Sequence, residues 1–350
     1  MVEMDAPNGQ AQIACITTAV PTVRATTAEV SLAIGHLRGR SLHVPAPAEA
    51  GTRFFAEPLA SIMGRRSISE QTDAYLEHAR ALARRVSCDA LERSAIDRDT
   101  IGLVIGVSCT GFVLPSLDAE LIPILGLRPD VARLPITELG CGGGVAGLAR
   151  AADYLRAYPG RSVLLFSVEL PSLTFQPDDR SVDNLVATMV FGDGAGAAIL
   201  CGGSCEARWT IERTGTLLVP EGARQLGFEL RDGGLRVLLS RGLGSVVEAR
   251  LGEAVDDFLA KSSLKRSDVD IVAAHPGGPR IFEAIERSLG LEADALSVSR
   301  AVFSQYGNAS SAGIFFVLSA LERPTRHGRA LAIAFGPGLS IELALLRYGG

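Results

Sequence analysis

The chain has 350 residues, 47% of them hydrophobic and 21% charged, with 38 glycines and 17 prolines. That length suits two domains or one large duplicated one, and the composition is globular, which excludes disordered, collagenous and coiled-coil chains. A net charge of −5 and a pI near 5.7 leave no basic footprint for nucleic acid.

Taken in order, the first ten residues, MVEMDAPNGQ, carry neither a basic start nor an apolar run, so no secretory leader is expected. No stretch approaches the ~18 apolar residues of a membrane helix, and a cytoplasmic location with no membrane partner is expected. Helical periodicity marks residues 72–86, 145–158, 244–259 and 314–322, and apolar strands mark 101–107, 162–167, 269–274 and 330–335. Strands without polar alternation belong to sheets covered on both faces, so an α/β layered fold is expected. Aromatic residues are scarce (13 Phe, 5 Tyr, 1 Trp), so elements should meet through small side chains. Of 34 basic residues only Lys261 and Lys265 are lysine, which reads as a coding bias.

Several segments recur at one spacing. Ser-Ala-Ile-Asp-Arg-Asp before the strand at 101 matches Ser-Leu-Lys-Arg-Ser-Asp before the strand at 269. Leu-Gly-Cys-Gly-Gly-Gly and Tyr-Gly-Asn-Ala-Ser-Ser each open a helix, and Gly-Arg leads into a strand after each. The separations are 169, 167 and 168 residues (94 to 263, 141 to 308, 160 to 328). The reading is two copies of one α/β unit, 1–205 and 206–350, with Cys141 and Asn308 at equivalent helix starts and His275 matching Ser108.

The six cysteines, 15, 88, 109, 141, 201 and 205, are scattered as reduced thiols would be. Cys201 and Cys205 are spaced C-x3-C, but no further ligands lie nearby and no metal site is expected. Cys141 stands between Gly140 and Gly142-Gly143-Gly144 ahead of a helix, where the macrodipole would lower its pKa toward a nucleophilic thiolate. A free cysteine there packs equally well as a small hydrophobe. His275 ends a strand at the rigid turn Pro276-Gly277-Gly278-Pro279, as a base, a donor or a turn-satisfying histidine. His36, His43, His78 and His327 lie in polar or helix-surface contexts. Asn308 reads as an N-cap, which does not exclude a chemical role. Cys, His and Asn around one junction form a set for acyl transfer.

The segments HPGGP at 275–279, YGNASSAG at 306–313, FGDGAGA at 191–197 and FGPG at 335–338 together resemble the type III polyketide synthases, the chalcone synthase-like branch of the thiolase superfamily. The resemblance covers residues 10–348 and implies a duplicated thiolase-like αβαβα five-layer fold, a homodimer, and acyl-CoA and malonyl-CoA substrates with no other cofactor. It implies that Cys141 carries the acyl chain, and that His275 pairs with its thiolate and, with Asn308, stabilises the oxygen of a decarboxylating malonyl thioester. Phe191 then resembles the gatekeeper, and Phe335, Gly336 and Pro337 shape the cavity. Pro171, Leu173, Thr174 and Ser310 are expected to line it. Val237 stands where plant members carry a second aromatic, and Cys109 resembles bacterial members as a pocket residue or a second reactive thiol. Leu114-Pro115 resembles a loop crossing the dimer. Arg53, Arg65, Arg66 and Arg280 are candidate CoA cations, each otherwise a solvated charge.

A fatty acyl starter giving an alkylpyrone or alkylresorcinol is the favoured expectation, and tetrahydroxynaphthalene from malonyl-CoA the competitor. A β-ketoacyl carrier-protein synthase of the KAS III type shares the triad, but HPGGP and FGPG argue against it. A papain-type hydrolase lacks its cysteine signature here. A dead partner subunit would not need all of Cys141, His275 and Asn308.

Overall fold

A computed structural model of the chain describes residues 10–37, 51–203, 205–321 and 327–349. His43, Glu322 and the opening nine residues lie outside them. β1 (Gln12–Ala19), β2 (Val23–Thr26) and α1 (Thr27–Leu37) are followed by β3 (Thr52–Phe55), the short α2 (Leu59–Ile62) and α3 (Ile68–Ser94). α3 departs most from its expected 72–86. Ser67 Oγ accepts from Glu70 N while the Glu70 carboxylate accepts from Ser67 N, a reciprocal cap that starts the helix earlier. Next come β4 (Ile101–Val107), α4 (Leu117–Ile124), β5 (Ala132–Ile136), α5 (Gly143–Ala157), β6 (Ser162–Glu169), α6 (Val182–Val190) and β7 (Gly194–Cys201). The C-terminal half runs β8 (Trp209–Leu218), β9 (Leu226–Arg231), β10 (Gly234–Leu239), α7 (Leu243–Ala260), β11 (Ile271–Ala274) and α8 (Pro279–Leu289). It ends with α9 (Ser297–Tyr306), α10 (Gly313–Ala320), β12 (Gly328–Gly336) and β13 (Ser340–Tyr348).

Nine strands form one sheet in the order β11-β12-β13-β8-β1-β7-β6-β4-β5. Its halves meet only where Gln12 and Ile13 of β1 pair with Thr210 and Trp209 of β8. α5 packs on β4 and β6 of one half and on β8, β12 and β13 of the other, while α10 touches β1, β7 and β11. α3 and α4 cover the outer face of the first half, and α7, backed by α8, covers β13 of the second. The sequence of layers is α-β-α-β-α.

Burial follows the sequence. β4 is IGLVIGV and nearly wholly buried, and β6 and β7 are buried along their entire lengths, as strands covered on both faces must be. Among the described residues no helix is long and apolar enough to cross a membrane. One cysteine expectation is corrected. Cys201 and Cys205 form a disulfide, since the turn after β7 returns the chain with the two Cα atoms 6.7 Å apart. Cys15, Cys88, Cys109 and Cys141 are free.

Candidate active site

Cys141 sits in a helical turn, Gly140–Gly142, that runs straight into α5. A second turn, Ser310–Ala312, runs likewise into α10. Counted from these turns, Cys141 stands level with Ser311, and Asn308 lies three residues earlier. The two helix starts touch. A Cβ on Gly144 would lie 2.3 Å from the Ser311 carbonyl oxygen, so only glycine permits this approach. Cys141 Sγ faces Ser310 Oγ at 3.6 Å and Asn308 Oδ1 at 4.0 Å. Asn308 Oδ1 also accepts from Ser310 N at 2.8 Å, holding Ser310 at a φ of +46°, a strained conformation for a non-glycine residue.

Behind the thiol lies a buried polar floor. Ser310 Oγ reaches Cys109 Sγ at 3.4 Å, so one hydroxyl stands between two thiols. Glu169, fully buried at the end of β6, accepts from Cys109 N at 3.1 Å and Thr110 Oγ1 at 2.7 Å, and from Ser311 Oγ. Ser311 Oγ in turn meets Ser167 Oγ at 2.8 Å. Burial raises the Glu169 pKa against these donors. Burial first, and then the Glu169 charge, push the Cys109 thiol well up from the ordinary cysteine value.

The thiol at the reacting position is neutral too. Burial pushes Cys141 up to about 11, with the Ser310 hydroxyl opposing and the Glu169 charge adding to the rise. The expectation of a helix-lowered pKa is corrected, because a macrodipole contributes about 0.3–2 kcal/mol and loss of water outweighs it here. His275 follows β11, and its backbone amide donates to Ile333 O at 2.8 Å. Ser108 does the same after β4, donating to Ile136 O at 3.1 Å. Burial takes the His275 imidazole down to about 4, opposed by the neighbouring Asn308 side chain. Among the described residues neither ring nitrogen of His275 has a hydrogen-bond partner, so the expected bond to the Cys141 thiol is not made.

An apolar gate faces the polar floor. Cys141, Ala187, Phe191 and Val237 form one buried cluster with Phe228 packed against it. Phe228 on β9 pairs directly across from Val237 on β10. An aromatic ring thus stands directly across the hairpin from Val237. The hairpin turns through Asp232 and Gly233, so reading Asp-Gly as a two-residue turn would have placed Phe228 opposite Val237 from sequence. Glu169 was equally readable as the lone charge closing an otherwise uncharged strand, SVLLFSVE.

A cavity of about 610 Å³ adjoins this gate, lined by Tyr75, Cys109, Leu173, Thr174, Leu226 and Pro337 among others. A narrow space lined by Cys141, Phe191, Phe228, Val237, Ser310 and Pro337 shares walls with it. Beyond Phe191, Pro171 and Thr174 line a constricted cleft with Phe55 and Met63. Of the loop expected to shape the cavity, Pro337 and Gly338 line it, and Phe335 is buried behind them. It packs in the core of the C-terminal half, and its β12 neighbour Gly336 lies against Gly142 instead.

The candidate CoA cations separate. Arg53 is fully buried and donates to the carbonyls of Thr52, Met189 and Phe303, so it cannot meet a phosphate in solvent. Arg65 is exposed beside Asp178, Arg66 pairs with Glu57, and Arg280 is exposed in the first turn of α8. Leu114 is 83% exposed and joined to Pro115 by a cis peptide bond.

A thiol reached through an apolar gate and backed by a large cavity suits an enzyme that holds an acyl chain covalently, and the fold around it is thiolase-like. Residues 55–204 match the family "Chalcone and stilbene synthases, N-terminal domain" and residues 211–348 its "C-terminal domain". The chain belongs to this family, the type III polyketide synthases. It is 37% identical over 312 residues to a putative chalcone synthase of Bacillus subtilis, covering 85% of this chain and 86% of that one. It is 37% identical over 316 residues to 1,3,6,8-tetrahydroxynaphthalene synthase of Streptomyces peucetius, covering 88% and 83%. The crystal structure of 1,3,6,8-tetrahydroxynaphthalene synthase from Streptomyces coelicolor, a bacterial type III polyketide synthase, superposes with a TM-score of 0.91 at 28% identity, over 97% of this chain and 99% of that one. These likenesses do not favour the KAS III alternative.

Proposed function

We propose that this enzyme loads an acyl group from coenzyme A onto Cys141, extends it with malonyl-CoA and cyclises the product. The observation that carries the proposal is the placement of the Cys141 thiol between Asn308 and Ser310, behind Phe191, Phe228 and Val237 and beside a cavity of about 610 Å³. Cys141 Sγ attacks the thioester carbonyl carbon, its proton passes to His275, and coenzyme A leaves as the thiol. On malonyl-CoA the carbon–carboxylate bond breaks as CO2 departs, and its electron pair forms an enolate. His275 and Asn308 are its hydrogen-bond donors, each worth on the order of 10²–10³ in rate. The enolate carbon attacks the acyl carbonyl on Cys141, and the thiolate is released. Apolar walls at Phe191 favour departing CO2 over a bound carboxylate. None of these steps calls on a metal or a redox cofactor.

The starter is a fatty acyl group and the product an alkylpyrone or alkylresorcinol, because the cavity lies in the range that encloses ligand-sized molecules and many of its walls are apolar. A malonyl starter giving tetrahydroxynaphthalene is the second reading, favoured by the relatives of that name. The enzyme acts as a cytoplasmic homodimer, and the exposed Phe112 and Leu114 support a covered face there. Arg65, Arg66 and Arg280 remain the candidate phosphate contacts. The test is mass spectrometry of products from malonyl-CoA alone and with acyl-CoA starters of graded length. Alkylated products that grow with the starter support the first reading. Tetrahydroxynaphthalene from malonyl-CoA alone supports the second, and single-extension products made only with a carrier protein would overturn both.

A further inference from the structure

Arg53 is the one candidate cation that the structure removes from solvent, and its surroundings give it a different task. Its guanidinium is fully buried, and among the described residues it meets no carboxylate. Nη1 donates to Thr52 O at 2.6 Å and to Phe303 O at 3.2 Å, and Nη2 donates to Met189 O at 3.3 Å. The guanidinium carbon stands 4.8 Å from the centre of the Phe303 ring. Met189 lies in the last turn of α6, and Phe303 in the last turn of α9. A cation at a helix C-terminus meets the last carbonyls and the negative end of the dipole, and here two such ends converge on one side chain, Phe303 O accepting from Gly307 N at 2.8 Å as well as from Arg53.

The segments leaving those two helices are the ones that carry the site. α6 ends into Phe191 of the gate, and α9 ends into Gly307 and Asn308. Just past the clamp they pair in parallel, with Asn308 N donating to Val190 O at 2.9 Å and Gly192 N donating to Asn308 O at 3.1 Å. Arg53 lies directly under this crossing. A Cβ on Gly307, whose φ is +78°, would fall 2.5 Å from Arg53 Cδ. Burying a guanidinium without a counter-charge costs several kcal/mol, so a residue kept there needs a compensating contact, and the two helix ends provide it.

We propose that Arg53 is a positioning residue: by clamping the ends of α6 and α9 it fixes the gate residue Phe191 relative to Asn308 beside Cys141. Its effect on turnover rests on the function proposed above, whereas its effect on access to the thiol does not. The test compares wild type with Arg53→Lys and Arg53→Met, each taken as the folded fraction. Alkylation of Cys141 by iodoacetamide and by a bulky N-aryl maleimide is followed by peptide mass spectrometry, together with CO2 release from malonyl-CoA.

Loss of the clamp should change the ratio of the two alkylation rates by more than about threefold in both variants. It should also lower kcat for CO2 release by roughly tenfold or more with KM little changed, as expected when reacting groups are displaced by an ångström or less. Arg53→Lys keeps the charge but not the two-ended fork, so it should resemble Arg53→Met rather than wild type. An unchanged alkylation ratio in both variants would overturn the proposal, even with a lowered melting temperature. If wild type releases no CO2 while the ratio shifts, the functional reading fails and the positioning role stands.

Discussion

The two sides of Cys141 are built on opposite principles. Its floor is polar, with Glu169, Ser310, Ser311, Thr110 and Cys109 exchanging hydrogen bonds. Its gate is apolar: the backbones of Phe191, Ala187, Val237 and Phe228 are hydrogen-bonded, but their side chains meet by packing. A hydrogen-bonded floor fixes direction, because each donor tolerates one geometry. A packed gate fixes only volume and can be refitted by substitution. On the function proposed above, the chemical steps would depend on the floor and the choice of substrate on the gate.

Substitutions at the thiol and the floor should therefore be all-or-none, and substitutions at the gate graded. The largest effect is expected for Cys141→Ala, which should lower product formation by roughly 10³-fold or more while leaving the melting temperature near that of wild type. Product formed at wild-type rate would remove the nucleophile assignment. Asn308→Ala should cost on the order of 10²-fold in CO2 release from malonyl-CoA. It should also free Ser310 N and relax the strained turn, visible as faster alkylation of Cys141.

The pH dependence separates the groups further. His275 has a folded pKa near 4 against about 6.5 unfolded, so the unfolded chain binds the extra proton first. Its contribution to stability is present above about pH 6.5 and is lost as pH falls toward 4. Thermal melts should show this loss, and His275→Gln should flatten it. Cys141 alkylation should climb with pH toward a midpoint near 11. Glu169→Gln removes a negative charge that raises that thiol, so the midpoint should move down, and an upward move would contradict the floor described here. The smallest effect belongs to the gate. Phe228→Ala should cost less than about 3 kcal/mol of stability and shift products toward longer chains, read by mass spectrometry.

Much of this arrangement was legible in the linear chain. Apolar runs without alternation announced covered strands, and β4 falls at the expected 101–107. The glycines around Cys141 and the turn after His275 announced special backbone, because periodicity and turn chemistry are local properties. Arg53 was read wrongly, as a CoA cation or else a solvated charge, since nothing nearby in sequence shows that residues 189 and 303 will bury it. Cys201 and Cys205 were read as thiols because four residues of spacing leave pairing open until the chain turns back. The Cys141 pKa was read in the wrong direction for the same reason: a helix start is visible in sequence, whereas the loss of water around it is not. The sequence by itself determined which residues are candidates for the chemistry and which segments form strands and helices. Burial, charge state and the partners of each side chain were decided only when segments more than 100 residues apart closed over one another, because desolvation belongs to the packed chain and not to any residue within it.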